Sequence, residues 1–225
     1  MSEERVPADY TEMDLLEARR FDKKVRENFM PAINSMVKQI IDDYGVLEGF
    51  CVDIGCGTAV FTIELSKHTN LKIYALEKEK PIYKVACMNI EKEGLKDRII
   101  PVLGDAHNLP FEDEFADFII SRGSYHIWKD KVQVFKEIYR VLKKGGIALA
   151  GGGFGRYVTD EELKRMKSLR DRSLGEYAKA YSSPDQLRKV IIKAGITNFR
   201  ISYDKAGLWA EIRKANSRPR ENNKI

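Results

Sequence analysis

The spacing of apolar residues changes character near residue 50. Before that point they recur every three or four positions, in two stripes. The first stripe contains Leu15, Leu16, Phe21, Val25 and Phe29, and the second contains Ile33, Met36, Val37, Ile40 and Ile41. This period predicts two amphipathic helices. Pro31 lies between the stripes and predicts the break between the helices.

After residue 50, short apolar runs alternate with helical segments, as in successive βαβ units. Strands are predicted at 50–54, 72–76, 98–103, 116–121, 147–150, 199–203 and 208–212. Helices are predicted at 58–67, 80–93, 129–142 and 159–180. Thr159 and Ser183 each begin a capping-box pattern, so each predicts a helix start.

These elements predict an α/β fold with a Rossmann-like, seven-stranded, mostly parallel sheet and helices on both faces. An N-terminal helical extension covers 1–45, and the main domain covers 46–213. Within the main domain, a helical insertion after the fifth strand, at about 156–181, is a candidate lid. Residues 214–225 are predicted to form a flexible tail.

Composition narrows the class of protein. Hydrophobic residues make up 43% of the chain and charged residues 32%, which is typical of a packed core inside a solvated surface. No apolar run is long enough to span a membrane, and the charged N-terminus does not resemble a signal peptide. The three cysteines are interpreted as free thiols, which favours the cytoplasm. The net charge of +5 permits an anionic partner without requiring one.

The first candidate site follows the strand at 50–54, where the sequence reads Asp53-Ile54-Gly55-Cys56-Gly57. Glycines at a strand–helix turn let the backbone approach a ligand closely. Asp53 is a charge at the end of an apolar strand, and it therefore needs a partner such as a ligand ammonium or backbone N–H groups. A dinucleotide site would have a third glycine at position 60, where this chain has Val60.

Two acidic residues follow the next two strands. Glu77 ends the strand at 72–76, where a carboxylate can accept hydrogen bonds from ribose hydroxyls. Asp105 follows the strand at 98–103, where its carboxylate can accept from an adenine amino group. The neighbouring Ala106 N–H can reach a ring nitrogen. Together these features predict a nucleoside ligand.

The order of five motifs resembles the class I S-adenosylmethionine-dependent methyltransferases. The motifs are DIGCGTA, an acidic residue at 77, GDAHNLPF, FADFIISRG and RVLKKGG. The chain is most similar to the small-molecule group that contains ubiquinone and menaquinone biosynthesis methyltransferases. The resemblance covers roughly residues 50–152, under half of the chain.

The resemblance implies S-adenosylmethionine as cofactor, S-adenosylhomocysteine as product and methyl transfer by in-line displacement. It implies that the methionine part is held by Asp53, Gly55 and Gly57, and the ribose by Glu77, with Cys56 a further cofactor-binding candidate. It places adenine at Asp105 and Ala106, with Lys78 a candidate against the adenine face. The backbone near Ser121 and Arg122 would meet the amino-acid end.

The segment after the strand at 116–121 is rich in aromatic and hydrogen-bonding side chains. His126 is a candidate general base and Tyr125 a second candidate catalytic residue. Both residues, with Trp128 and Phe154, are candidates for the substrate pocket. Four glycines at 151–155 flank Phe154 and are interpreted as a hinge or as a close backbone approach to a substrate.

No metal site is expected, because the three histidines and the carboxylates lack ligand spacing. A nucleic-acid partner is not favoured, since motifs of the cytosine-C5 and amino-group nucleic-acid enzymes are absent. Three alternatives stay open: an RNA or protein methyltransferase, a non-catalytic cofactor-binding protein, and an NAD(P)-dependent oxidoreductase. The acceptor, the methylated element and the oligomeric state are not determined by the sequence.

Overall fold

A computed structural model describes residues 11–174, 183–204 and 207–216. The described chain contains seven strands, six helices and a 3-10 turn at Tyr125–Ile127. The strands are β1 (Glu48–Ile54), β2 (Asn70–Glu77), β3 (Ile99–Leu103), β4 (Ala116–Arg122), β5 (Leu142–Gly153), β6 (Phe199–Asp204) and β7 (Gly207–Arg213). The helices are α1 (Glu12–Tyr44), α2 (Val60–Lys67), α3 (Lys80–Lys92), α4 (Lys131–Val141), α5 (Asp160–Leu174) and α6 (Pro184–Lys193).

The seven strands form one sheet in the order β3-β2-β1-β4-β5-β7-β6. Strands β1 to β5 pair in parallel, and β7 runs antiparallel to both β5 and β6. The predicted seven-stranded, mostly parallel fold is therefore confirmed. The strand order reverses direction between β1 and β4, which creates a crevice at the carboxyl ends of the strands.

Alternate residues of the central strands pack on opposite faces of the sheet. Val52 and Ile54 of β1 join the core with helices α4 and α6. Cys51, the residue before Val52, joins the core with α1 and α2 on the other face. This alternation turns the Asp53 side chain toward α2, because residues 51 and 53 share a face.

The predicted break at Pro31 is wrong, because α1 continues from Glu12 to Tyr44 with Pro31 inside it. A proline removes one helical hydrogen bond and crowds the preceding turn. Directly after it, however, the helix buries a continuous apolar face against the sheet and the segment around Phe154. The buried residues are Ala32, Ile33, Met36, Val37 and Ile40. Burial of this face offsets the local cost, so tertiary packing overrides the helix-breaking signal.

Both predicted capping boxes are present. The Thr159 hydroxyl accepts from the Glu162 N–H at 3.2 Å, and the Glu162 carboxylate accepts from the Thr159 N–H at 2.9 Å. Ser183 and Gln186 make the same reciprocal pair at the start of α6. The last part of the predicted helix at 159–180 lies outside the described residues, and so does most of the predicted tail at 214–225.

Strand β5 is longer than predicted and begins directly after α4. Its pairing with β4 shifts register between Ala116 and Phe118, which allows the two glycines at 145 and 146 to belong to the strand. Lys214, just past β7, pairs with this region through its N–H to the Gly146 carbonyl at 3.2 Å. Among the described helices, none combines the length and the apolar character needed to cross a bilayer.

Candidate functional site

The carboxyl ends of β3, β2, β1 and β4 border a cleft of about 500 Å³. A second cavity of about 100 Å³ lies beside it, under α1. The two cavities share Phe21, Gly55, Gly57 and Arg122 in their walls. Open α/β sheets bind ligands at this edge, where backbone N–H groups and strand-end side chains converge.

The turn after β1 is held down onto the neighbouring strand. The Gly55 and Cys56 N–H groups both donate to the Leu76 carbonyl, at 2.8 and 3.0 Å. Gly55 has a φ of +72°, and a Cβ there would stand 2.7 Å from the Ser124 Cβ. Only glycine satisfies both the backbone conformation and the close approach. The turn therefore presents bare backbone to the cleft.

Asp53 is 2% exposed and is held by α2. Its carboxylate accepts a hydrogen bond from the Thr62 hydroxyl at 2.5 Å. Burial raises the pKa of Asp53 to about 7, although the Thr62 hydrogen bond and the charge of Arg122 oppose the shift. Both charge states are consequently accessible near neutral pH, and a ligand cation in the second cavity would favour the ionised one.

Thr58 has a buried hydroxyl that lacks a hydrogen-bond partner among the described atoms, and it lines the second cavity. Its carbonyl is bound, since Asn89 Nδ2 donates to it at 2.8 Å and also to Asp22 Oδ1 at 2.8 Å. Asn89 thus ties the glycine turn to α1. A buried hydroxyl without a partner costs about 1–3 kcal/mol, which a polar ligand atom would relieve.

Glu77 accepts three backbone hydrogen bonds. Oε2 receives the Gly57 N–H at 3.0 Å, and Oε1 receives the Lys78 and Glu79 N–H groups at 2.8 and 3.0 Å. Burial raises the pKa of this carboxyl, and the three N–H groups act in the opposite direction. A carboxylate has roughly four acceptor positions. One therefore remains, on Oε2, for a ligand hydroxyl.

Asp105, on the loop after β3, lines the same cleft as Glu77 and is also hydrogen-bonded. Its Oδ1 accepts from the His107 N–H at 2.9 Å and lies 2.6 Å from His107 Nδ1. Its Oδ2 pairs with Lys78 Nζ at 2.8 Å. Partial burial raises the pKa of Asp105, but the hydrogen bonds from His107 and Lys78 outweigh it and lower the pKa. Asp105 is accordingly an ionised acceptor at the rim of the cleft.

The end of β4 is joined to the end of β1 by two serine hydroxyls. Ser121 Oγ and Ser124 Oγ lie 3.0 and 3.1 Å from the Ile54 carbonyl and 2.5 Å from each other. Ser121 itself is fully buried and stands behind the cleft wall. The next residue, Arg122, lines both cavities and lies close enough to Asp53 to influence its charge.

Of the predicted substrate residues in and next to the 3-10 turn after β4, only some lie at the cleft. Trp128 lines the cleft. Tyr125 is 5% exposed and packs in the core against Trp128 and Phe135, with ring centroids 5.5 and 5.9 Å away. His126 is half-buried, and burial with the charge of Lys131 lowers its pKa. Neither Tyr125 nor His126 is among the residues that line the cleft.

The glycine run at 151–155 meets other parts of the protein. A Cβ at Gly151 would lie 2.2 Å from the Leu208 carbonyl oxygen of β7. A Cβ at Gly155 would lie 2.4 Å from Ser35 Oγ of α1. Phe154 is buried beside Ala32 and the residues of α5. Gly151 and Gly155 therefore closely approach β7 and α1, where the sequence predicted a hinge or an approach to a substrate, and Phe154 packs between helices away from the cleft.

Replacing Gly155 by alanine is expected to destabilise the protein by about 2–4 kcal/mol. Gly155 has a φ of +77°, and the added Cβ would also meet the Met36 N at 2.9 Å. The matched control is Gly152→Ala, since a Cβ there has only Gly123 Cα within 4 Å, at 3.9 Å. Urea unfolding of both variants tests this, and equal midpoints would contradict it.

The structure brings most predicted cofactor residues together. Those that line the cleft or the second cavity are Asp53, Gly55, Cys56, Gly57, Glu77, Lys78, Asp105, Ala106 and Arg122. Ser121, Tyr125, His126 and Phe154 do not line either one. Sequence reasoning missed Phe21, Val25, Thr58, Ile82, Ile127 and Lys129, which do. Ile82 could have been identified as a lining residue from its position in the first turn of α3, directly after β2. Phe21 could not, because its spacing in the sequence indicated only helix packing.

Metal ligation has no support in the part of the chain that the structure describes. There, no three histidine, cysteine, aspartate or glutamate side chains are grouped so that they could hold an ion. Cys56 has its thiol pKa raised well above the usual value by burial and by the nearby charge of Asp53. The site combines glycine backbone, carboxylates, apolar walls and the basic side chains of Lys78, Arg122 and Lys129.

Comparison with known proteins gives consistent matches. A family described as a methyltransferase domain matches residues 52–150. The chain is 38% identical over 97 residues to 2-methyl-6-phytyl-1,4-hydroquinone methyltransferase of Spinacia oleracea, covering 43% of this chain and 27% of that protein. It is 33% identical to demethylmenaquinone methyltransferase of Lactiplantibacillus plantarum, covering 42% of this chain and 40% of that protein. Each match spans less than half of the curated relative.

A solved structure matches over nearly the whole chain. It is a protein of Methanococcus maripaludis assigned to the S-adenosyl-L-methionine-dependent methyltransferases, with 32% identity and a TM-score of 0.83. The match covers 95% of this chain and 99% of that one. With the sheet order and the strand-end site, it shows that this chain belongs to the class I S-adenosylmethionine-dependent methyltransferases.

S-adenosylmethionine is the cofactor of this family, and the residues present fit it. The bare turn at Gly55 allows close backbone approach, and the unpartnered Thr58 hydroxyl in the second cavity offers a polar contact. Asp53 would meet the ammonium group of the methionine end. The remaining acceptor of Glu77 suits a ribose hydroxyl, and Asp105 Oδ2 suits an amino group.

Proposed function

We propose that this chain transfers the methyl group of S-adenosylmethionine to a small, largely apolar molecule. The observation that carries this proposal is an apolar mouth on a polar cleft. Phe21 and Ile127 are 44% and 62% exposed, and both line the cleft with Trp128. Large apolar side chains left in water beside a binding site are suited to an apolar ligand. The spinach and Lactiplantibacillus relatives are named for hydroquinone and demethylmenaquinone substrates, which have such a character.

Positioning supplies the main catalytic contribution in this proposal. The cofactor, when bound, supplies a methyl group that is already activated for displacement. The chain would hold the acceptor in line with that group at about 3–3.5 Å and exclude water. Phe21 on α1 would cover the acceptor from one side, and Trp128 would form the opposite wall. An acceptor that ionises easily needs no protein base.

The predicted catalytic roles of Tyr125 and His126 stay predictions. Tyr125 packs against Trp128, so its contribution in this proposal is to hold Trp128 in position at the wall of the cleft. His126 has a lowered pKa because of burial and Lys131, and it is therefore neutral at physiological pH. A neutral imidazole can accept a proton. For such a role, the His126 side chain would have to rotate so that its ring faces the cleft.

A cytoplasmic location is part of the proposal. The three cysteines are free thiols, which is the usual state in a reducing compartment. The domain organisation predicted from sequence, with an extension at 1–45, a main domain at 46–213 and a tail at 214–225, is also retained as a proposal, with α1 as the cover over the cleft. The described part of α5 packs against α1 through Leu163 and Met166 and contributes no residue to the lining of the cleft.

The proposal predicts micromolar binding of S-adenosylhomocysteine and methyl transfer to a quinol or a related small aromatic acceptor. Transfer of labelled methyl from S-adenosylmethionine would be measured with quinols, a peptide pool and total RNA as acceptors. Labelling confined to small molecules supports the proposal, and labelling of RNA or peptide alone overturns it.

The Phe21→Ala variant separates acceptor binding from cofactor binding in the same assay. It is expected to raise the acceptor KM about fivefold, since a buried aromatic contact contributes about 1 kcal/mol. Tyr203→Ala is the matched control, because Tyr203 is an exposed aromatic residue on the edge strand β6. Equal effects of the two changes would contradict the assignment of the apolar mouth.

A further inference from the structure

His107 joins the loop after β3 to the start of α4. Its Nδ1 is 2.6 Å from Asp105 Oδ1, on the loop after β3. Its Nε2 is 3.2 Å from the N–H of Asp130, the residue that caps α4. The ring therefore connects the loop that carries Asp105 to the segment that carries Trp128. His107 also lines the cleft itself.

The contacts of the ring define its tautomer. A backbone N–H can only donate, so His107 Nε2 must accept the bond from Asp130. The proton of a neutral ring is then on Nδ1, where it is donated to Asp105 Oδ1. Both ring nitrogens are satisfied in this form. The imidazole thus acts as a donor toward Asp105 and an acceptor toward α4.

Oδ1 and Oδ2 of Asp105 have different environments as a result. Oδ1 receives two hydrogen bonds from His107, one from the backbone N–H and one from the ring. Oδ2 has Lys78 Nζ at 2.8 Å, and this pair is exposed enough to exchange with water or ligand. The Asp105 side chain is 38% exposed, so its orientation depends on these hydrogen bonds. The backbone N–H and the ring of His107 together hold Oδ1 and leave Oδ2 to Lys78.

We propose that His107 is a positioning residue that holds Asp105 with Oδ2 directed at the exocyclic amino group of the cofactor's adenine. This inference rests on the proposed function, because it requires an adenosyl ligand in the cleft. Lys78 occupies Oδ2 when no ligand is bound and gives way to the amino group or moves over the purine. His107 itself exchanges no proton with the reaction.

The competing explanation is that His107 serves only to fasten the loop to α4. The two explanations assign importance to different ring nitrogens, so two substitutions separate them. Asparagine places an amide near the position of Nδ1 and can donate to Asp105, but it does not reach Asp130. Glutamine reaches Asp130 with its amide oxygen near the position of Nε2 and leaves Asp105 without the side-chain donor.

The test compares binding of S-adenosylhomocysteine with binding of S-inosylhomocysteine, in which a carbonyl oxygen replaces the amino group. The wild-type protein is expected to prefer the adenosyl compound by about tenfold, since the carbonyl oxygen would face a carboxylate. His107→Asn is expected to keep this preference within about twofold, and His107→Gln to reduce it to about threefold or less. Calorimetric titration measures all six dissociation constants.

Each outcome bears on a different conclusion. If the folded wild-type protein binds neither compound, the proposed function fails and this inference fails with it. If the wild type shows the preference and His107→Gln keeps it in full, the proposed function stands and the positioning role is overturned. Loss of preference in His107→Asn but not in His107→Gln would favour the fastening role and likewise overturn the inference.

Discussion

Replacing Glu77 by glutamine is expected to weaken S-adenosylhomocysteine binding at least about 30-fold. The carboxylate has three backbone N–H partners and one remaining acceptor position. An amide NH₂ placed on either side of the group would face an N–H donor, so at least one of these bonds is lost. The change therefore removes the charge that a ribose hydroxyl would meet and also disturbs the turn that contains Gly57.

Glu79→Gln is the matched control for this experiment. Glu79 is two residues away and also lines the cleft, and its side chain makes no capping bond at the start of α3. Its substitution is expected to change the dissociation constant less than about twofold, as is usual for a rim residue. Titration calorimetry, with thermal unfolding to verify that each variant is folded, measures the difference. Unchanged affinity in folded Glu77→Gln would remove Glu77 from the cofactor site.

The residues that meet at the strand ends could be predicted from the sequence because their convergence depends on the topology of the sheet. A parallel sheet places the ends of β1, β2 and β3 at one edge, so Gly55, Glu77 and Asp105 had to converge. The hydrogen bonds that occupy them were not predictable. Asp53 was expected to find a ligand ammonium or backbone N–H groups, and the structure provides Thr62 from α2. A helix face that meets a strand end leaves no signal beyond ordinary helical spacing.

The apolar pattern predicted burial better than it predicted position relative to the cleft. Tyr125 and Trp128 lie three residues apart in the same short segment, yet only Trp128 lines the cleft. Phe21 belonged to a stripe interpreted as packing, and it stands half-exposed over the site. Hydrophobicity reports removal from water and does not distinguish a core neighbour from a pocket wall. The predicted break at Pro31 was wrong for a related reason. The burial that stabilises α1 depends on residues that are distant in the sequence.

Cofactor binding and stability impose opposite demands on Asp53. Burial raises its pKa from 3.8 in an unfolded chain to about 7 in the folded protein. The neutral form is therefore preferred on folding, and its stabilising contribution is complete below the unfolded value. That contribution is lost as the pH rises from about 4 through about 7. At pH 8 the ionised carboxylate costs roughly 4 kcal/mol.

Asp53→Asn is accordingly expected to stabilise the protein in the absence of cofactor, by roughly 3 kcal/mol more at pH 8 than at pH 5. Asparagine cannot ionise, and its amide oxygen can still accept from Thr62. Urea unfolding at the two pH values measures this, with the exposed Asp97→Asn as control. A benefit that does not grow with pH would mean that Asp53 is already ionised in the folded protein at pH 5.

The same variant is expected to bind S-adenosylhomocysteine at least about 30-fold more weakly at pH 8, because a neutral amide cannot pair with the ligand ammonium. In the wild type, that ammonium is expected to draw Asp53 into its ionised form, so binding should release a proton when the pH is below about 7. Calorimetry in buffers of different ionisation enthalpy detects the released proton. A variant that lost affinity without gaining stability would show that the ligand-binding role of Asp53 is independent of its cost to stability. Gain of stability together with loss of affinity would show that the buried charge is retained for the ligand at the expense of the stability of the fold.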